Sequence, residues 1–138
     1  MPVEEIEGDL FDHEGHIAHC VSQDLRMGAG IAREFRTRWG RPADLVDQHP
    51  SVGRAAYIIR DERFIFYLVT KRFFYEKPTY YTMAEALKDL SRICNENRIS
   101  TLLIPQLGCG LDKLEWGKVK RLIEEHLGTL DVKVYIKK

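Results

Sequence analysis

A chain of 138 residues with no break in composition is expected to fold as a single domain, 1–138, large enough to bury a sizeable core. Its 21 lysines and arginines balance 21 aspartates and glutamates, so no global field recruits nucleic acid or an acidic membrane, and an anionic ligand has to be held locally. No apolar run approaches the ~20 residues of a membrane helix, residues 1–5 lack the basic and apolar regions of a signal peptide, and three cysteines without a C-x-x-C pair suggest neither a disulfide framework nor a zinc knuckle. A soluble intracellular protein is expected, with no metal and no cofactor; nuclear and cytoplasmic residence both stay open.

In chain order, residues 3–11 mix Val3, Ile6 and Leu10 with acids and read as a strand running into the turn Gly8-Asp9-Leu10-Phe11, which leaves Asp9 at a strand end. After the polar turn His13-Glu14-Gly15, the run Ile17-Ala18-His19-Cys20-Val21-Ser22 reads as a short buried strand with Ser22 at its C-terminal edge. His13, His16 and His19 do not suggest a metal centre, because residues three apart on a strand face opposite sides of it. The next loop contains Arg26-Met27-Gly28-Ala29-Gly30, and Ile31, Phe35 and Trp39 recur every four positions as one face of the helix it opens. A helix start flanked by glycines offers unpaired N–H groups and the positive end of the dipole to an anion. A dinucleotide fingerprint does not follow: Arg33 stands where the third glycine belongs, and no acid ends a strand about 20 residues on. Arg33, Arg36, Arg38 and Arg41 are expected to form a solvated helix face.

A short helix is expected around residues 43–48, inside a connection carrying Pro42 and Pro50. Two apolar runs, residues 55–59 and 64–69, then flank the charged turn Arg60-Asp61-Glu62-Arg63, which is a hairpin pattern. The second run is apolar at nearly every position, as in a strand covered on both faces, and it ends at Thr70-Lys71-Arg72. A lysine there either serves a ligand site, as strand ends in α/β sheets do, or marks where the strand reaches water. Residues 73–81 are rich in aromatics and admit three roles: a stacking surface for a base, a lid, or a packing layer. Thr82-x-x-Glu85 reads as a capping box, opening a helix buried along Met83, Leu87, Leu90 and Ile93 that reaches about Asn97. The strand 101–104 stops at Pro105 and leads into Gly108-Cys109-Gly110-Leu111-Asp112, where glycines at 108 and 110 are expected to allow positive φ and a close approach of backbone N–H groups to a pyrophosphate. The competing reading is a plain strand-to-helix turn with Asp112 as N-cap, in a capping box with Glu115, for a helix over 116–127. A terminal strand over 132–136 closes the chain.

Strands alternating with helices, two glycine loops opening helices and one interrupting hairpin predict an α/β fold, a three-layer α/β/α sandwich on a mixed central sheet. Five stretches, Gly8-Asp9-Leu10-Phe11, His19-Cys20-Val21-Ser22, Arg26-Met27-Gly28-Ala29-Gly30-Ile31-Ala32, Leu68-Val69-Thr70-Lys71 and Gly108-Cys109-Gly110-Leu111-Asp112, together resemble the terminal ADP-ribose protein glycohydrolase branch of the macrodomains, over essentially the whole chain. The resemblance implies a macrodomain fold and an ADP-ribose pocket. It places Asp9 and the Leu10 backbone at the adenine end, and Ser22, Arg26, Met27, Gly28, Ala29, Gly30 and Ile31 near the distal ribose and phosphates. By the same resemblance Gly108, Cys109, Gly110 and Leu111 form the second phosphate loop, Thr70 binds the ligand as well, and Lys71 and Asp112 are catalytic.

The activities implied are removal of ADP-ribose from glutamate or aspartate side chains and deacetylation of O-acetyl-ADP-ribose. A neutral lysine amine suits attack at C1″ of the ribose, but a free lysine titrates near ~10.4 and has to be desolvated or crowded by positive charge, for which Arg72 is the neighbour in sequence. Asp112 would then move protons. Ser22 and the short Gly28-Ala29-Gly30 loop stand where other macrodomain hydrolases carry paired asparagines and a longer polyglycine loop, which argues against a substrate-assisted water mechanism. The alternative function is a non-catalytic ADP-ribose reader; RNA binding is not expected from a neutral chain. The expected partners are ADP-ribose, O-acetyl-ADP-ribose and ADP-ribosylated proteins, with the chain a monomer.

Overall fold

The computed structural model describes residues 3–137; Met1, Pro2 and Lys138, the ends of the expected domain, lie outside them. Among the described residues six strands, β1 (Val3–Glu7), β2 (Ile17–Ser22), β3 (Ala55–Arg60), β4 (Arg63–Lys71), β5 (Thr101–Ile104) and β6 (Asp131–Ile136), form one sheet in the order β1-β6-β5-β2-β4-β3. Neighbouring strands are parallel except β3, which runs antiparallel to β4. The hairpin turns on Asp61 and Glu62, at φ 52° and 64°, two left-handed residues whose twist matches that of the flanking strands.

Helices α1 (Gly30–Trp39), α2 (Ala43–Val46), α3 (Tyr80–Glu96) and α4 (Trp116–His126) cover both faces of the sheet. Residues of β4 alternate between the two cores. Phe66 and Leu68 pack with Met83, Leu87 and Leu90 of α3 and Val119 and Ile123 of α4; Ile65, Tyr67 and Val69 pack with Phe35 of α1 and Leu45 of α2. This double coverage is why β4 reads as a continuous apolar run. His19 is fully buried in the second core, stacked on Phe35 with centroids 3.6 Å apart.

Helix α3 begins one turn earlier than its sequence suggests. Thr79 is the N-cap, its hydroxyl accepting from Thr82 N at 3.0 Å while Thr82 Oγ1 accepts from Thr79 N, so Thr82 closes the capping box instead of opening it. Glu85 pairs with Lys88 at 3.4 Å. The two threonines three apart satisfy each other's orphan donors, and the Thr82–Glu85 spacing is left without a capping role.

Strands β2 and β5 are neighbours, yet their outgoing loops part: β2 leads to α1 on one face, and β5 leads to α4 on the other. Such a divergence opens a crevice at the C-terminal ends of the strands, where α/β sheets bind ligands. Among the described residues no helix is long and apolar enough to cross a membrane.

Candidate active site

The crevice is a cavity of about 690 Å³, walled by residues of the loops after β2 and β5, by Lys71 at the end of β4, by Phe74 and Lys77 of the aromatic loop, and by Tyr135, Ile136 and Lys137 at the end of β6. Its size lies within the range typical of small-molecule sites, about 300–1,000 Å³.

The first wall is held by anchors on either side. Leu25 and Met27 have positive φ, 55° and 48°, and their buried side chains belong to the core around Phe35. The Asp24 carboxylate accepts from Ser22 Oγ at 2.5 Å, from Arg26 N at 3.3 Å and from Phe74 N at 3.2 Å. Against the upward push of burial, these bonds and the Arg26 charge hold the Asp24 carboxyl below the usual carboxylate range. Arg36 of α1 donates to the Arg26 carbonyl at 2.7 Å. Helix α1 then starts behind Ala29, whose side chain offers no cap, so its first-turn N–H groups lack a side-chain acceptor beside the cavity.

The second wall depends on Gly108. Its φ is +70°, and a Cβ there would come within 2.9 Å of both Leu114 Cδ1 and Met83 Cε. Leu114 N donates back to Gly108 O at 2.9 Å, closing the loop. Gly110 differs from the sequence expectation: its φ is not positive, and an added Cβ would meet nothing within 4 Å. Of the first-loop glycines likewise Gly30, at φ +60°, needs its freedom and Gly28 does not.

Lys71 Nζ donates to Asp112 Oδ1 at 2.6 Å, with the two side chains only 13% and 17% exposed. This contact sets aside one reading of each residue. Lys71 is not a strand end reaching water, and Asp112 is not the cap of α4; Glu115 holds that position, with no side-chain capping bond. Arg72, the sequence neighbour expected to crowd the lysine, turns instead to Glu76 at 3.2 Å and lies over the Phe73 ring. The aromatic loop bridges the two walls: Arg26 sits 4.2 Å over Phe74, and Lys77 Nζ donates to Leu111 O at 2.8 Å. Arg26, Lys71, Lys77 and Lys137 thus line the cavity against the one carboxylate of Asp112, so a chain neutral overall presents a locally cationic site.

Ser22, Arg26, Met27, Gly28, Ala29, Gly30, Ile31, Lys71, Gly108, Cys109, Gly110, Leu111 and Asp112 are brought together on the lining. Asp9, Leu10 and Thr70 are not. Leu10 is buried in the core. Asp9 caps a short 3-10 turn, accepting from Phe11 N at 3.0 Å, and reaches the cavity only through Lys137, whose Nζ lies 3.1 Å away. Thr70 belongs to a separate cavity. Sequence reasoning missed Phe74 and Lys77, and also Tyr135 and Ile136 of β6 with Lys137 just after it, whose place follows from β6 lying between β5 and β1 and carries no local pattern. The two lining cysteines are poor nucleophiles: burial pushes the Cys109 thiol up to about 11, and burial with the Asp112 charge raises that of Cys20.

No family model matches the chain. The fold is that of the macrodomains. The macrodomain of Thermus aquaticus DarG matches it with a TM-score of 0.82 at 24% identity over 97% of each chain, and Thermosipho africanus DarTG in complex with ADP-ribose does so with a TM-score of 0.83 at 20% identity, over 99% of this chain and 42% of that one. In sequence, human ADP-ribose glycohydrolase OARD1 is 39% identical over 133 residues, spanning 95% of this chain and 88% of the relative. The chain belongs to the macrodomain family of ADP-ribose glycohydrolases that includes OARD1.

Proposed function

We propose that this protein is an ADP-ribose-binding hydrolase that frees mono-ADP-ribose from glutamate and aspartate side chains and deacetylates O-acetyl-ADP-ribose. The observation that carries the reading is the half-hidden Lys71–Asp112 pair at 2.6 Å, set in a cationic cavity between two backbone-donor loops. The uncapped start of α1 and the 108–111 loop hold the pyrophosphate, and Lys137, backed by Asp9, stands toward the adenine end. A glutamate ester at C1″ then lies against Lys71.

Asp112 Oδ1 takes a proton from the Lys71 ammonium, freeing the Nζ lone pair to bond C1″. The C1″–O ester bond breaks with its electron pair going to the departing oxygen, which Asp112 protonates. Asp112, ionised again, takes a proton from water as that oxygen adds to C1″ and the C1″–N bond breaks. The regained proton returns to Lys71. One water is consumed, and ADP-ribose and a carboxylic acid are released, so a single carboxylate serves as base, acid and base in turn. A non-catalytic reader needs the same loops but no hydrogen-bonded nucleophile and acid at the ribose end. Incubation with glutamate-linked mono-ADP-ribosylated protein, followed by mass spectrometry, tests the reading: released ADP-ribose is expected, and binding without release leaves the reader.

A further inference from the structure

Lys71 and Lys77 line two cavities. Beyond the one already described, they border a second space of about 580 Å³ that takes only Gln23 from the loop after β2 and nothing from the loop after β5; the rest of its wall is Val52, Thr70, Arg72, Glu76, Thr79 and Thr82. Thr70 is only 1% exposed, and its Oγ1 has no hydrogen-bond partner among the described residues. Its main-chain oxygen is already taken by Thr82 Oγ1 at 2.7 Å, so the hydroxyl is the group left over. A buried hydroxyl without a partner is destabilising, and a polar group of a bound segment would relieve that cost.

We infer that this second cavity receives the acceptor, an acidic peptide segment bearing the ADP-ribosylated side chain, so that the scissile C1″–O bond lies across Lys71 with ADP-ribose on one side and the peptide on the other. The inference rests on the hydrolase reading above. Over the principal cavity, the Phe74–Arg26 and Lys77–Leu111 contacts tie the aromatic loop to both glycine loops, and an attached protein lying there has to break them. The second cavity gives the leaving group a path that keeps them, and it shares the nucleophile itself. Its lining suits a peptide. Lys71, Arg72 and Lys77 outnumber Glu76, whose carboxylate is committed to the Arg72 side chain and to the backbone N–H groups of Arg72 and Phe73. The Thr79 and Thr82 hydroxyls are engaged in the α3 cap and Gln23 Oε1 accepts from Val52 N, which leaves the Gln23 amide N–H groups and the cations to meet a peptide, and no aromatic ring is among the lining residues on which a nucleobase could stack.

The test compares an acidic ADP-ribosyl-glutamyl peptide with O-acetyl-ADP-ribose, whose acetyl group is too small to fill the second cavity. Arg72→Glu and Gln23→Ala are expected to lower kcat/KM for the peptide by roughly tenfold or more, with O-acetyl-ADP-ribose turnover and the Kd of free ADP-ribose unchanged. Thr70→Val removes an unpartnered hydroxyl, so it is expected to keep or raise the melting temperature while lowering the ratio of peptide to O-acetyl-ADP-ribose activity. If the parent hydrolyses both substrates and the variants change neither, or change both equally, the acceptor assignment is overturned and the hydrolase reading stands. A loss confined to an ADP-ribosylated oligonucleotide overturns the peptide. A parent that hydrolyses nothing overturns the hydrolase reading itself.

Discussion

Gly108 and Gly110 bracket one cysteine in the same loop, and substituting each by alanine separates what the fold needs from what the ligand needs. At Gly108 the backbone is left-handed at φ +70°, which strains an L side chain by about 1–2 kcal/mol. The new Cβ also arrives 2.9 Å from Leu114 Cδ1 and Met83 Cε. Both are side-chain tips, but Met83 is fully buried and has little room to retreat, which adds about 1 kcal/mol at the low end for overpacking. The sum, roughly 2–3 kcal/mol, corresponds to a fall of roughly 6–12 °C in Tm for a chain of this size. Gly110→Ala meets no atom and no positive φ, so its Tm is expected within about a degree of the parent. Gly110→Glu is likewise expected to fold, and to lose ADP-ribose binding because it puts bulk and negative charge where the pyrophosphate comes close. Differential scanning fluorimetry with calorimetric titration reads both effects. Equal Tm for the two alanine variants refutes the packing argument, and a Gly110→Glu protein that binds normally refutes the placement of the phosphates.

Lys71→Ala is expected to abolish hydrolysis while leaving the Kd for ADP-ribose within a few fold, since the loops supply most of the contacts; a variant that still turns over removes the lysine from the mechanism. Cys109→Ser is expected to keep hydrolysis within a few fold and Cys109 to resist alkylation at neutral pH, its thiol being pushed up to about 11 by burial; rapid labelling contradicts this. His19 has its ring pKa lowered by burial to about 3, so folding favours the neutral ring. The unfolded chain takes up that proton near 6.5, and stability is therefore full above that pH and falls below it by up to about 1.4 kcal/mol per pH unit. His19→Phe is expected to flatten urea-derived stability between pH 6.5 and 5, where the lowered carboxyls of Asp9 and Asp24 do not yet titrate; His16, also lowered by burial and by Arg63, keeps a residual slope. An unchanged slope refutes the assignment.

What the sequence made legible was local or periodic. The double-sided burial of β4, the stripe Met83, Leu87, Leu90 and Ile93 on α3, and the two glycine loops opening toward helices each have a pattern within about ten residues. The Thr82 box was misjudged because its spacing fits two starts, and Thr79 wins by reciprocal bonding. At Asp112 the capping and site readings rest on the same residue, and what removes the cap, the start of α4 behind Glu115 and the meeting of β4 with the loop after β5 across 41 positions of sequence, is not local to it. The contributions of Lys137 and Phe74 arise from strand order and from a loop folding back onto Asp24, neither of which leaves a mark in the residues themselves.

On the proposed mechanism, the same meeting alters how Lys71 is to be made a nucleophile. Crowding by Arg72 fails as an account, since that guanidinium is turned to Glu76, and the group beside the ammonium is a carboxylate. The carboxylate is the proton acceptor within reach of Nζ, so on the proposed mechanism Asp112 has to remove the proton as well as resolve the adduct. These two duties are separable in Asp112→Ala. If Asp112 only resolves the adduct, the variant forms a covalent ADP-ribosyl-Lys71 species as fast as the parent and stalls, visible as a stoichiometric mass increase in the intact protein. If Asp112 also deprotonates Lys71, adduct formation in the variant is slow at pH 7 and accelerates as the pH is raised, because solvent then supplies the base. The short contact supports the second outcome. A rate of adduct formation equal to the parent's and flat from pH 7 to 9 refutes it, and leaves desolvation by the half-buried site as the activating force.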